Sequence, residues 1–527
     1  MKSKIVVENI RVPVTAEDGD ILNIARRKLS QNAVPFLQDS LHIRRKSVDA
    51  RHRGNITFVC SVVAQSQADS EQIPCVQDIK VCREETLHIP VGEETLPDRP
   101  VVVGFGPAGM FCALLLSRAG LCPLVLERGS SVEERIAAVE NFVSTGKLDL
   151  QSNIQFGAGG AGTFSDGKLT TRIGDSKCGF ILEMLQALGA PEDILWRAKP
   201  HIGTDILRNV VANADREICS LGGEIRYCTR VEAVGDGWIQ IDGEKIACGP
   251  VVLATGHSAR DLYAYLMEAG YAVEAKPFSI GVRVEHLQEE LDAALYGKAE
   301  LAEVLGHGEY QMSWRRGARG VYTFCMCPGG EVVAAASEQG GVVTNGMSRH
   351  DRGMRNGNAA VAVSVLPEDF GGSPAGAIRF QRDLEQAAFQ AGGGDYSAPC
   401  QSVGAFYEGK PGGLGVRIVP SYRGGRIAPA DFNRLLPLFA SDMLKEGLHR
   451  FSKKIPGYDA PDVPLTGIET RTSAPVRILR GDDLTAIGHG MVYPCGEGAG
   501  YAGGIMSAAA DGMRVALAIL GRYKRMQ

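Results

Sequence analysis

Several short runs in this chain combine residue types that can do chemistry. The run Gly104-Phe105-Gly106-Pro107-Ala108-Gly109 has the spacing G-x-G-x-x-G and follows the apolar stretch Val101-Val102-Val103. A strand that feeds such a turn and then a helix suits the pyrophosphate of a dinucleotide. Gly104 permits the tight turn, Gly106 admits the phosphates, and Gly109 lets helix and strand pack closely. Pro107 and Ala108 open the helix. About twenty residues on, Pro123 to Arg128 reads as a second strand that ends in an acid, Glu127, with Arg128 beside it. An acid there is placed to bond the hydroxyls of a ribose.

Two further glycine runs lie far from the first. Gly157 to Leu169 offers backbone donors together with Gly162, Thr163, Ser165, Asp166 and Lys168. Tyr493 to Ile505 holds Gly496, Glu497, Gly503, Gly504 and Ile505, and a small-residue helix over 506–520 follows. Glycines let main chain lie against a flat ring or a phosphate, and the helix start turns N–H groups towards it. Cys325 and Cys327 form C-x-C on a strand, which would put both thiols on one face. A structural role, a place in a substrate pocket and a redox disulfide are all open for them. No second Cys or His pair stands nearby at metal-ligand spacing, so no metal is expected. Arg283 can clamp a carboxylate or pair with an acid inside a sheet. His350, Asp351 and Arg352 read as a polar loop, either simply exposed or serving as a proton relay.

The elements that must position these residues fall into blocks. At 527 residues, with 44% hydrophobic and 22% charged residues, the chain has ample material for a large core. A net charge of −5 gives no basic excess, so nucleic acid is not the expected main partner. No apolar run is long enough to span a bilayer, and no signal sequence is evident. The thirteen cysteines are scattered, which fits reduced thiols in a cytoplasm.

Residues 1–85 read as an N-terminal α+β module of order β-α-β-β, with a ferredoxin-like half as one reading. Its hairpin carries His42, Arg44, Arg45, Lys46, Arg51, His52 and Arg53. That cluster is a solvated charged hairpin or a dock for phosphate, RNA or an acidic partner. Residues 86–99 read as a linker, 100–269 with 466–527 as a dinucleotide-binding α/β domain, and 270–465 as an inserted α+β substrate domain. A hairpin is expected from Ile225–Val234 and Trp238–Ile241, turning at Asp236-Gly237. Val251 to Gly256 reads as a buried strand that ends in Thr255-Gly256.

Taken together, the chain resembles the flavoprotein superfamily with a glutathione-reductase-type, Rossmann-like FAD fold. More narrowly, it resembles a bacterial family of uncharacterised FAD-dependent dehydrogenases. The residues that carry this are Gly104–Gly109, Glu127, Gly159 to Leu169, Ala254-Thr255-Gly256-His257, Phe324 to Gly330, Asn345 to Ser348, Arg471 to Pro475 and Gly496 to Gly500. The resemblance implies bound FAD, with the backbone near Val231 beside the adenine and Thr255-Gly256 beside the cofactor. It places Arg471 near the active site. It also implies hydride transfer between flavin N5 and a small organic substrate. Many superfamily members carry Gly-Asp where this chain has Gly496-Glu497. A second G-x-G-x-x-G unit is missing, so NAD(P)H would act as a transient donor that docks without its own fold. The alternative is a flavoprotein that docks RNA or a partner protein through the basic module, such as an RNA-modifying flavoenzyme.

Overall fold

The computed structural model describes residues 3–52, 55–82, 86–171 and 173–524. Arg53 of the basic hairpin lies outside them. The chain gathers into two compact units. One comprises Met1–His88, Lys168–His201 and Glu289–Gly308, and the other Ile89–Gly167, Ile202–Gln288 and Glu309–Gln527.

The first unit is built on an antiparallel sheet in the order His42–Asp49, Thr57–Ser66, Ser3–Pro13, Ile79–Cys82. The helix Asp18–Gln31 covers one face with Ile21, Ala25 and Leu29, a stripe at helical spacing. These close on Ile5, Val7, Phe58 and Val62. The helix starts at Glu17, whose capping box uses Asp20 as its N3 member; Asp20 is not itself the cap. The connection between Thr57–Ser66 and Ile79–Cys82 holds a 3₁₀ turn at Ser70–Gln72. Strand His42–Asp49 would be an open edge, but Lys46 N–H donates to Trp196 O at 2.9 Å and Ala198 N–H to Lys46 O at 3.1 Å. The unit therefore draws in chain far beyond residue 85. Two cations of the basic cluster are paired within the unit, Lys46 with Asp18 at 2.8 Å and Arg51 with Asp49 at 2.6 Å.

In the second unit a parallel sheet runs in the order Val492–Pro494, Val251–Leu253, Val101–Val103, Leu124–Leu126, Glu224–Arg226. The first four strands are three residues long and wholly buried, which is why they read as plain apolar runs. Helices Pro107–Arg118 and Ile505–Arg522 pack against each other. A Cβ on Gly512 would stand 2.1 Å from Ala108 O, so only glycine allows that approach. The stretch expected as one strand, Ile225–Val234, is two. Glu224–Arg226 completes the parallel sheet, and Val231–Gly235 starts a separate meander with Trp238–Ile241 and Glu244–Ala247. The break falls at Cys228, whose φ is +51°, where Cys228 and Thr229 bond to Gly129 O and Glu127 O.

A seven-stranded sheet fills most of the span between the two parts of the parallel domain. Its order is Ser313–Arg316, Arg319–Cys327, Asn356–Val365, Phe278–Leu287, Pro464–Glu469, Ala398–Ser402, Ile427–Pro429. All neighbours are antiparallel except the last pair. Helices Pro374–Ala391 and Leu438–Ser452 pack on it. No described helix is long and apolar enough to cross a membrane.

Candidate cofactor and active site

The three glycine runs meet. Gly104 has φ +101°, and a Cβ there would lie 2.5 Å from Ala254 O, so its role is to let two strand ends approach. A Cβ on Gly109 would lie 2.0 Å from Gly104 O, the close helix–strand contact the motif requires. Gly106 differs. Its φ is −78°, and an added Cβ would meet only Gly160 Cα, at 3.7 Å. The loop comes in here: Gly159 N–H bonds Phe105 O at 2.8 Å, and Gly162 faces Ile505 and Pro107. The C-terminal run closes the other side, with Gly496 against Ala108 and Gly498 against Gly256 O. Tyr263 OH ties it down by donating to Gly498 O at 2.7 Å. A buried acid sequence reasoning missed, Asp511, accepts from Gly496 N–H at 2.8 Å and holds Arg480 in a bidentate pair.

Two helices start at this meeting point, with Gly106 and Gly504 as N-caps. Neither cap offers a side-chain bond, and neither first turn holds an acid, so the first N–H groups and the positive dipole ends are unopposed by side chains. A Cβ on Gly256, Gly503 or Gly504 would meet nothing within 4 Å. Open space bordered by glycine backbone and two helix starts fits a flat, doubly anionic dinucleotide.

The side chains of the loop are partly occupied. Glu127 is buried and accepts N–H bonds from Phe105 at 2.8 Å and from Gly129 and Gly157 at 2.9 Å each. It thus joins the first and second glycine runs, and one of its oxygens accepts a single bond. Arg128 pairs with Asp261 and lies over the Phe156 ring. Thr163 OH donates to Ala158 O and Ser165 OH to Gly162 O. Asp166 is held by Arg352 through bonds of 2.7 and 3.1 Å, so Arg352 belongs to a buried pair and not to an exposed loop. Lys168 belongs to the first unit, where it bridges to His201. Val231 is buried at the start of the meander.

Lys276 and Cys325 both act on Glu497. Burial pushes the Glu497 carboxyl up to about 7; Lys276 opposes that rise and Cys325 adds to it. Burial lowers the Lys276 ammonium in turn. Cys325 has φ +47° and lies in an irregular stretch between Phe324 and Cys327, so the simple same-face alternation of C-x-C does not hold. Cys327 is fully buried, and its thiol donates to Cys325 O at 3.3 Å. A side-chain hydrogen bond with Cys325, then burial, raise its pKa well above the usual value.

Arg283 is fully buried and its five N–H donors are all taken. Nε and Nη2 hold Glu469 at 2.8 Å each, Nη2 also meets Asn345, and Nη1 meets Cys325 O and Asn358. No donor is left to clamp a substrate carboxylate. Arg471 bonds both oxygens of Glu385, at 3.0 and 2.9 Å, as well as Ser258 and Ser337. Arg260 holds the same Glu385 carboxylate at 2.8 Å through each Nη. Against burial, which would raise it, Arg471 and Arg260 keep Glu385 well below the usual carboxylate range. No local pattern marks this triad, because its members are more than eighty residues apart. Beside it, His257 is lowered to about 3 by burial and then by Arg471 and Arg260. A cleft of about 280 Å³ opens there, lined by Arg128, Phe156, Arg230, Arg260, Asp261 and Arg382. No group of three or more His, Cys, Asp or Glu that could hold a metal is found among the described residues.

Residues 277–472 match the family described as FAD-dependent protein, C-terminal domain-like. An uncharacterised protein of Clostridium beijerinckii (strain ATCC 51743 / NCIMB 8052) is 44% identical over 517 residues, covering 96% of this chain and 97% of its own. Among solved structures, CtdE in complex with FAD is 14% identical over 80% of this chain and 84% of its own, with a TM-score of 0.33. The halogenase PltM in complex with phloroglucinol and FAD is 11% identical over 81% of this chain and 71% of its own, with a TM-score of 0.36.

Proposed function

The chain belongs to one family with the clostridial protein and carries the C-terminal domain of FAD-dependent proteins; from that premise, we propose that it is an oxidoreductase that passes hydride between FAD and a small organic substrate. The observation that carries this is the meeting of three glycine runs, from residues 104–109, 157–162 and 496–505, around two uncapped helix starts. When bound, FAD supplies a two-electron carrier that takes or gives hydride at its ring system. The protein supplies the rest. The amides at Gly106 and Gly504 receive negative charge, and Glu127 fixes the first loop against the second. Glu497, with its carboxyl near 7, can hold or release a proton at neutral pH, and Lys276 supplies the opposing charge. Only one parallel sheet with a strand–glycine–helix unit occurs among the described residues, so a nicotinamide donor would dock directly at the flavin.

The test is anaerobic reduction of the purified protein by NADH, NADPH and a metabolite panel, followed at the flavin absorbance. Bleaching by one of them is expected. A protein that takes up no FAD on reconstitution overturns the reading. Gly106→Ala sharpens the test, because its Cβ fits the protein: the variant keeps its melting temperature and loses most of its FAD.

A further inference from the structure

Arg135 lies on the helix Val132–Thr145 and is fully buried. Its guanidinium donates to five main-chain carbonyls. Nε meets Asn153 O at 2.9 Å and Nη2 meets Ile154 O at 2.9 Å. Nη1 meets Ala158 O at 2.6 Å, Gly160 O at 2.9 Å and Gly157 O at 3.3 Å. None of these partners is a carboxylate. Arg208 adds a second cation nearby: the two guanidiniums lie 4.8 and 4.9 Å from the centre of the Phe164 ring. The Nε of Arg208 is buried without a partner. Glu127 is the acid that acts on Arg135, and its oxygens already accept three amides.

A buried charge without a paired countercharge is costly unless something negative comes close. The carbonyls show where that could be. Peptide groups are planar and trans, so each carbonyl turned to Arg135 turns the next N–H away from it. The carbonyl of Gly160 is one of the five, and a Cβ on Gly160 would lie 2.9 Å from Gly106 Cα. The guanidinium thus stands one peptide behind the surface that faces the glycine cap of helix Pro107–Arg118.

We infer that Arg135 is a positioning residue for the diphosphate of the cofactor, an inference that rests on the FAD reading above. It shapes the 153–160 loop from inside and gives that loop a positive potential, with Arg208 reinforcing it, and it touches no ligand. The diphosphate adds to the negative charge of Glu127, which acts on Arg135 without a hydrogen bond to it.

The test compares ligands with and without the diphosphate. Apoprotein is titrated with FAD, ADP and riboflavin for the wild type, Arg135→Lys, Arg135→Met and Arg208→Gln, and melting temperatures are recorded alongside. In Arg135→Lys, which keeps the charge but can fill fewer carbonyls, FAD and ADP affinity should fall about tenfold, and in Arg135→Met about a hundredfold. Riboflavin binding should stay within about twofold, since it has no phosphate for the charge to act on. Arg208→Gln leaves the loop's carbonyl bonds intact and should weaken FAD and ADP by roughly threefold, which keeps the test alive if Arg135→Met does not fold. Folded variants that bind FAD like the wild type overturn the inference. So does a parallel loss of riboflavin, which would mark a purely architectural role. Wild-type protein that binds neither FAD nor ADP would overturn the FAD reading itself, a result distinct from either.

Discussion

Arg135 and Arg283 are both fully buried, and each has five hydrogen-bond acceptors around its guanidinium, yet they are held in opposite ways. Arg283 sits at the centre of the seven-stranded sheet with Glu469 in a bidentate pair and two asparagines around it. Its charge is cancelled where it stands. Arg135 bonds only carbonyl dipoles, and the acid that acts on it, Glu127, is spent on three amides, so its charge is solvated and not paired. The difference teaches how to read a buried cation. A matched pair fixes architecture, whereas an unmatched one beside open glycine backbone leaves a potential for a ligand to meet.

The comparison can be broken from the Arg283 side first. Glu469→Gln leaves a buried guanidinium without its acid and should lower stability by about 3–5 kcal/mol in urea unfolding. Replacing both members, Arg283→Met with Glu469→Met, should recover much of that loss. If the single variant is as stable as wild type, the pair is not the keystone of this sheet. Gly109→Ala probes packing alone. Its Cβ would meet Gly104 O at 2.0 Å, and the overpacked contact should cost about 1–3 kcal/mol on the same measurement. A neutral result would show that helix Pro107–Arg118 can shift away from its strand.

Glu497 gives a smaller, pH-dependent effect. Its carboxyl is raised from 4.5 to about 7 in the fold, so folding favours the protonated form. Stability should fall as pH rises from about 4.5, where the unfolded chain ionises, and level off above about 7. Glu497→Gln should flatten that slope; an unchanged slope assigns it to another group. The smallest effect concerns His257. With its pKa near 3, its ring resonances should not move between pH 5 and 8, and a transition near 6.5 would mean that Arg471 and Arg260 do not act on it as their placement implies.

The parts legible in the sequence were those set by local pattern. The strand–glycine–helix order at 101–118, the apolar strand at 251–253 and the small-residue C-terminal helix all stand where their residues place them. The hairpin turning at Asp236-Gly237 forms, but its first strand starts at Val231 and not at Ile225, because a left-handed residue, Cys228, carries no side-chain signature of a break. The C-x-C face failed for a similar reason at Cys325. Arg135 did leave a trace. Val132, Val139 and Phe142 form the buried stripe of its helix, and Arg135 stands in that stripe where an apolar residue would be expected. Asp511, Arg480 and Glu385 left none, since their partners are set by tertiary approach and not by spacing.

The first unit has a consequence for how the protein is made. Its strand His42–Asp49 is covered along its edge by residues 196–198, and its last segment ends at Gly308. A chain leaving the ribosome at about 5–20 residues per second finishes residue 88 roughly ten to forty seconds before residue 308. For roughly the first half of that interval, until residues 196–198 emerge, the young sheet carries an unpaired edge, the kind of surface on which chains join one another. Chaperone demand in synthesis should therefore concentrate on the N-terminal sheet, even though its strands are the first to emerge.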